Sequence, residues 1–102
     1  MDVYFTVISC LGKHIRISHR HWDLIIRRKH LEISGREKEV QATLQDAQSV
    51  RISQADESVF LYYRRSGRYY LCVVCRHLNG DGFIITSYLT DRFKEGHEVW
   101  RK

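Results

Sequence analysis

The sequence predicts an α+β fold: an N-terminal hairpin, then two helices packed on a four-stranded antiparallel meander, in the order ββααββββ. Three observations point there. Apolar residues recur at helical spacing between Ser18 and Ala47. From Ser49 to Thr90 the period changes from 3.6 to 2, and stretches bearing Gly, Asn or Asp punctuate the alternation at hairpin intervals.

Element by element, "VYFTVISC", "LGK" and "HIRIS" alternate and turn at Gly12, which reads as a hairpin. Residues 1–11 could instead cover a sheet edge or pair with another copy. Ser18 is placed to cap a helix whose apolar stripe is Trp22, Ile25 and Ile26, with the Lys29 stem beside it; Arg20, Arg27 and Arg28 form its basic face. "SGRE" predicts the next start, with Ser34 as N-cap and Glu37 closing a capping box, and Val40, Leu44 and Ala47 as the buried stripe. Four strands follow at 49–53, 58–65, 69–78 and 82–90, the third apolar on both faces as a central strand should be.

With 102 residues the chain is expected to form a single domain, 1–102. A 43% hydrophobic and 12% aromatic composition supports a packed core and argues against disorder. No apolar run approaches the ~20 residues that span a bilayer, and the N-terminus lacks a signal-peptide pattern, so no membrane partner and a cytoplasmic location are expected. Cys72 and Cys75 lie three apart on a strand, where side chains point to opposite faces, so with Cys10 they read as structural thiols. The net charge of +5 fits an anionic partner, RNA above all, although a basic surface also serves solubility alone.

No metal or nucleotide motif is present and no cofactor is expected; His19 and His21 have poor chelate spacing. What remains suits phosphodiester chemistry. Transesterification of RNA needs a proton acceptor for the 2′-hydroxyl, a proton donor for the leaving 5′-oxygen, and donors to the phosphoryl oxygens. His30, Arg76, Thr86 and Tyr88 are the candidate catalytic residues, with Lys94, Arg28, Arg64 and Arg65 as candidate substrate contacts. His21 and His30 lie nine residues apart, which on a regular helix points them in nearly opposite directions. The blander alternatives are a helix-terminal histidine and ordinary strand residues at Thr86 and Tyr88.

The turn at 79–82 decides which residues share a face. A tight turn pairs Arg76 with Ile85 and turns Thr86 away. A Gly80-Asp81-Gly82 loop with left-handed Gly82 pairs Arg76 with Thr86 and Val74 with Tyr88. Tyr62, Tyr63, Tyr69 and Tyr70 with Arg64, Arg65 and Arg68 form an aromatic-basic tip around Ser66-Gly67, which reads either as an RNA-stacking surface or as a soluble hairpin end.

The stretches "HWDLIIRRKHLE", "ADESVFLYYRR" with "YYLCVVCR", and "FIITSYLTDRFKEGHEVW" resemble the barnase–EndoU–colicin–RelE-like nucleases, and most closely their small phage and mobile-element branch of uncharacterised domains. The resemblance implies a RelE/EndoU-like domain that cleaves RNA without a metal. It further implies a toxin or phage nuclease, with an acidic antitoxin or immunity partner in the toxin case, and His30, Arg76, Thr86, Tyr88 and Lys94 near the scissile phosphate. The sequence departs from the family pattern in two places. Leu31 follows His30 where a proline is usual, and Leu24 and Ile25 stand where a second histidine is often found. A non-catalytic RNA- or protein-binding module on the same scaffold is the alternative.

Overall fold

The computed structural model describes residues 2–93 and 96–102. Its elements are β1 (Val3–Ile8), β2 (His14–Ser18), α1 (His19–Leu24), α2 (Glu37–Gln45), β3 (Ser49–Ile52), β4 (Val59–Ser66), β5 (Tyr69–His77), β6 (Asp81–Thr90) and β7 (His97–Arg101). Between the helices lie a π-helical turn (Ile25–Lys29) and a 3-10 turn (Leu31–Ile33). The fold is α+β, but the expected four-stranded meander is not the sheet that forms. The sheet has seven strands in the order β1-β2-β6-β5-β4-β3-β7.

The N-terminal hairpin joins through a parallel β2–β6 pairing and puts β1 on one edge; β7 adds to β3 on the other. Sequence periodicity gives no sign of β7. In "HEVWR" the two apolar residues are adjacent, Val99 standing exposed while Trp100 packs on the core. Among the described residues, no helix is long and apolar enough to cross a membrane.

Both helices lie on one face. Ser18 caps α1 by accepting from the His21 N–H (3.0 Å), and Trp22 and Ile25 are buried below it. The helix then widens: the His30 N–H donates to the Ile25 carbonyl at 2.7 Å, an i+5 bond, and His30 leaves the helix at φ −140°, ψ 76°. The expected capping box at Ser34 does not form. Gly35 takes a left-handed φ of +79°, ending the 3-10 turn, and α2 begins at Glu37 with Arg36 as its cap residue. Val40, Thr43 and Leu44 of α2 are buried, and so is Ala47 beyond its end. Each fully buried aliphatic side chain in this layer contributes about 1.5–3 kcal/mol.

Register settles the second face, because cross-strand partners project to the same side. Arg16, Phe83, Arg76 and Val59 form one row; Thr86, Val74, Leu61 and Arg51 the next. Tyr88, Cys72, Tyr63 and Ser49 form a third, and Thr90, Tyr70 and Arg65 a fourth. Leu61, Tyr63 and Cys72 are the buried centre of a smaller cluster here, with Phe93 of the β6–β7 connection resting on Tyr63 and Tyr70 (ring centroids 4.8 Å from each).

Neither register considered for the 79–82 turn occurs. The Leu78 N–H donates to the Asp81 carbonyl (2.6 Å), Gly80 rather than Gly82 takes positive φ (+85°), and Arg76 pairs with Phe83. Gly82 serves a different purpose, since a Cβ there would collide with the Arg76 carbonyl oxygen. A β-bulge then shifts the pairing at Ile85: Cys75 pairs with Ile84, but Val74 with Thr86. That extra residue turns Thr86 and Tyr88 onto the second face. Without it they would point under the helices.

Candidate functional site

The site begins with an exposed strand edge. β2 pairs with β6 only from Asp81 to Phe83, so the rest of β6 on that side has no strand neighbour. The helical segment covers it instead. His21 Nε2 lies 2.7 Å from the Ile85 carbonyl oxygen, and because a carbonyl only accepts, Nε2 carries the proton. Farther on, His30 reaches Tyr88, with ring centroids 5.5 Å apart at an interplanar angle of 34°. The two histidines thus do not diverge as a regular helix requires. The π turn changes the phase, and both imidazoles come to β6, three residues or roughly 10 Å apart along the strand.

His30 is 31% exposed and its Nδ1 lies 3.4 Å from Glu32 Oε2. Tyr88 is half-buried, and burial first, then the neighbouring Cys72 and hydrogen bonds with Cys72 and Tyr63, raise its pKa well above the usual phenol range. It stays a neutral phenol at any physiological pH. Thr86 lies one row away on the same face; its Oγ1 is shielded from solvent and has no hydrogen-bond partner among the described residues. Thr86 and Tyr88 therefore share the second face, and His30 meets Tyr88 at the edge of β6.

Arg76 shares that face but not that neighbourhood. It stands four residues along β5 from the partner of Tyr88, roughly 13 Å away. Its guanidinium donates to Asp56 Oδ2 (3.1 Å) and Ser58 Oγ (2.5 Å). The hydroxyl and backbone N–H of Ser58, with Arg76, hold the Asp56 carboxyl down to about 2. Arg28 is exposed on the outer side of the π turn. Arg64 and Arg65 project to opposite faces: Arg64 lies toward Asp46 and Gln48, whereas Arg65 sits 5.2 Å over the Tyr70 ring and donates to the Gly67 carbonyl. Lys94 lies outside the described residues.

The sequence reading missed Glu32, Phe93 and Asp56, and it set Tyr63 in the aromatic-basic hairpin tip, whereas Tyr63 is fully buried. Glu32 had a local signal, two residues after His30; the others reach the site through strand pairing and a loop that no local pattern encodes. Cys72 and Cys75 are buried in different clusters on the two faces. Among the described residues, no group of three or more His, Cys, Asp or Glu is placed to hold a metal ion. Comparison with family models, with curated proteins and with solved structures finds no match to this chain.

Proposed function

We propose that the chain binds RNA and cleaves it without a metal, as a small cytoplasmic nuclease of the kind its sequence resembles. The observation that carries this reading is the contact of His30 with Tyr88 where the helical segment meets the second face of the sheet. The 2′-hydroxyl attacks phosphorus, the bond to the 5′-oxygen breaks, one proton leaves the 2′-oxygen and one arrives on the 5′-oxygen. His30, steadied at Nδ1 by Glu32, serves as one of the two proton-transfer groups, and the neutral Tyr88 phenol donates toward the phosphoryl oxygens. Thr86 supports this surface, with Arg76 as a more distant cation and Lys94 as the further cation that the resemblance implies. A toxin role, with an acidic protein covering this face, belongs to the same proposal.

The test is RNA incubated in chelator with the native chain and with His30→Ala and Tyr88→Phe variants. A histidine acting in proton transfer contributes about 10²–10⁴-fold, so cleavage is expected to fall at least a hundredfold in His30→Ala. Undiminished cleavage removes His30 from the chemistry. One observation favours the second reading, a module that binds RNA or protein and cleaves nothing: the strand arginine best placed to hold phosphate, Arg76, is engaged by Asp56. Salt-sensitive binding with no cleavage would select it.

A further inference from the structure

Two adjoining cavities, of about 450 and about 390 Å³, meet at Ser18 and His21 on the outer side of α1. Both fall within the range of ~300–1,000 Å³ typical of small-molecule sites. The smaller opens because β2 and β6 part company after Arg16 and Phe83. Val3, Ile17, Phe83 and Ile84 make it largely apolar, with Arg16, Ser18 and His21 at its polar margin. The larger is cationic: Arg20, Arg27 and Arg28 line it against a single carboxylate, Asp23.

These three arginines differ from four on the sheet strands. Arg16, Arg51, Arg76 and Arg101 are each within 4 Å of a carboxylate. Among the described residues, Arg20, Arg27 and Arg28 have no hydrogen-bond or ion-pair partner. Like charges gathered on one helical stretch repel one another, and a bound anion relieves that repulsion while offering the acceptor oxygens a guanidinium fork matches.

We infer that the double cavity binds a nucleoside phosphate, with the base in the apolar cleft against Phe83 and the phosphate on Arg20, Arg27 and Arg28. A flat, weakly polar ring joined by a short link to a dianion is the chemistry that both halves accept together. A free nucleotide and a nucleotide within an RNA chain share it. Phe83 stands in the row of the second face next to Thr86, so a strand running along β6 toward Tyr88 passes the cleft. Binding here does not depend on proton transfer by His30.

The experiment is calorimetric titration with adenosine 5′-monophosphate, adenosine, inorganic phosphate and a 2′-O-methyl hexa-adenylate, which transesterification cannot cleave. The native chain is compared with R27Q/R28Q, with Phe83→Ala, and with K38Q/R92Q, which removes the same charge elsewhere. R27Q/R28Q is expected to weaken nucleotide binding at least tenfold and K38Q/R92Q less than twofold. Phe83→Ala is expected to weaken the nucleotide but not inorganic phosphate. A tenfold loss for the monophosphate identifies a free nucleotide as occupant; a loss for the hexamer alone identifies a chain nucleotide. Equal affinities in the native chain and R27Q/R28Q overturn the inference, as does inorganic phosphate binding as tightly as the nucleotides. The cleavage proposal is read from turnover in His30→Ala and Tyr88→Phe and this one from binding in R27Q/R28Q and Phe83→Ala, so failure of the one and failure of the other are separable.

Discussion

His77 sits at the end of β5 on the helix-covered side, stacked on Phe60 at 3.7 Å and 12°, with Nε2 2.9 Å from the Tyr62 hydroxyl. Burial, helped by the Lys13 charge, pushes its pKa down to about 4. Between about 6.5 and about 4 the unfolded chain binds a proton that the native chain refuses, so stability falls as pH falls through that window. The ring is only half-buried, and after solvent screening the loss from pH 7 to pH 5 is expected to be about 1 kcal/mol. Urea midpoints at the two pH values measure it, and His77→Gln should flatten the difference. Asp56 has the same sign at lower pH: its lowered pKa adds stability above about 4 that disappears as pH drops through about 2. Its second effect is on Arg76. If RNA is the partner, Asp56→Asn frees that guanidinium and should tighten binding of a 2′-O-methyl RNA about threefold or more by fluorescence anisotropy. Unchanged affinity would show that Arg76 lies outside the RNA path.

At the scale of elements, the His21 hydrogen bond does for β6 what a neighbouring strand would have done. His21→Ala leaves the Ile85 carbonyl without its partner and is expected to cost about 1–3 kcal/mol in denaturant unfolding. A cost below a few tenths of a kcal/mol would mean that water replaces the imidazole. The same region shows what local pattern reveals and what it hides. Ser18 as a cap, Trp22 and Ile25 as a buried stripe, and the period change at Ser49 are all visible, because each rests on residues within a turn or two. The π turn is hidden, since nothing in "IIRRK" distinguishes an i+5 bond from an i+4 bond before packing chooses. The bulge is hidden for a related reason. Alternation through "FIITSYLT" looks continuous, and only the approach of His21 to the Ile85 carbonyl marks where it breaks.

At the scale of the molecule, the strands that close the sheet are those the sequence says least about. The parallel β2–β6 contact joins residues more than sixty positions apart, and the β6–β7 connection passes three strands before β7 pairs with β3. Long-range pairing of this kind leaves no periodic trace and slows folding. Charge was similarly half-legible: the count of +5 is in the composition, but which arginines are paired is decided by the fold. Trp100 carries the attachment of β7 to the core, and Trp100→Ala is expected to cost about 2–4 kcal/mol. Thermal unfolding measures it; a neutral result would show β7 to be a loosely held fringe. Ile85 bears on how such a chain tolerates change in length. Remove that single position and the last turns of β6 come out reversed like a glove, Leu89 set toward water and Tyr88 driven under the helices. Hairpin tips can gain or lose residues with little harm, but at this one place a deleted codon would erase the proposed chemistry together with the surface that displays it.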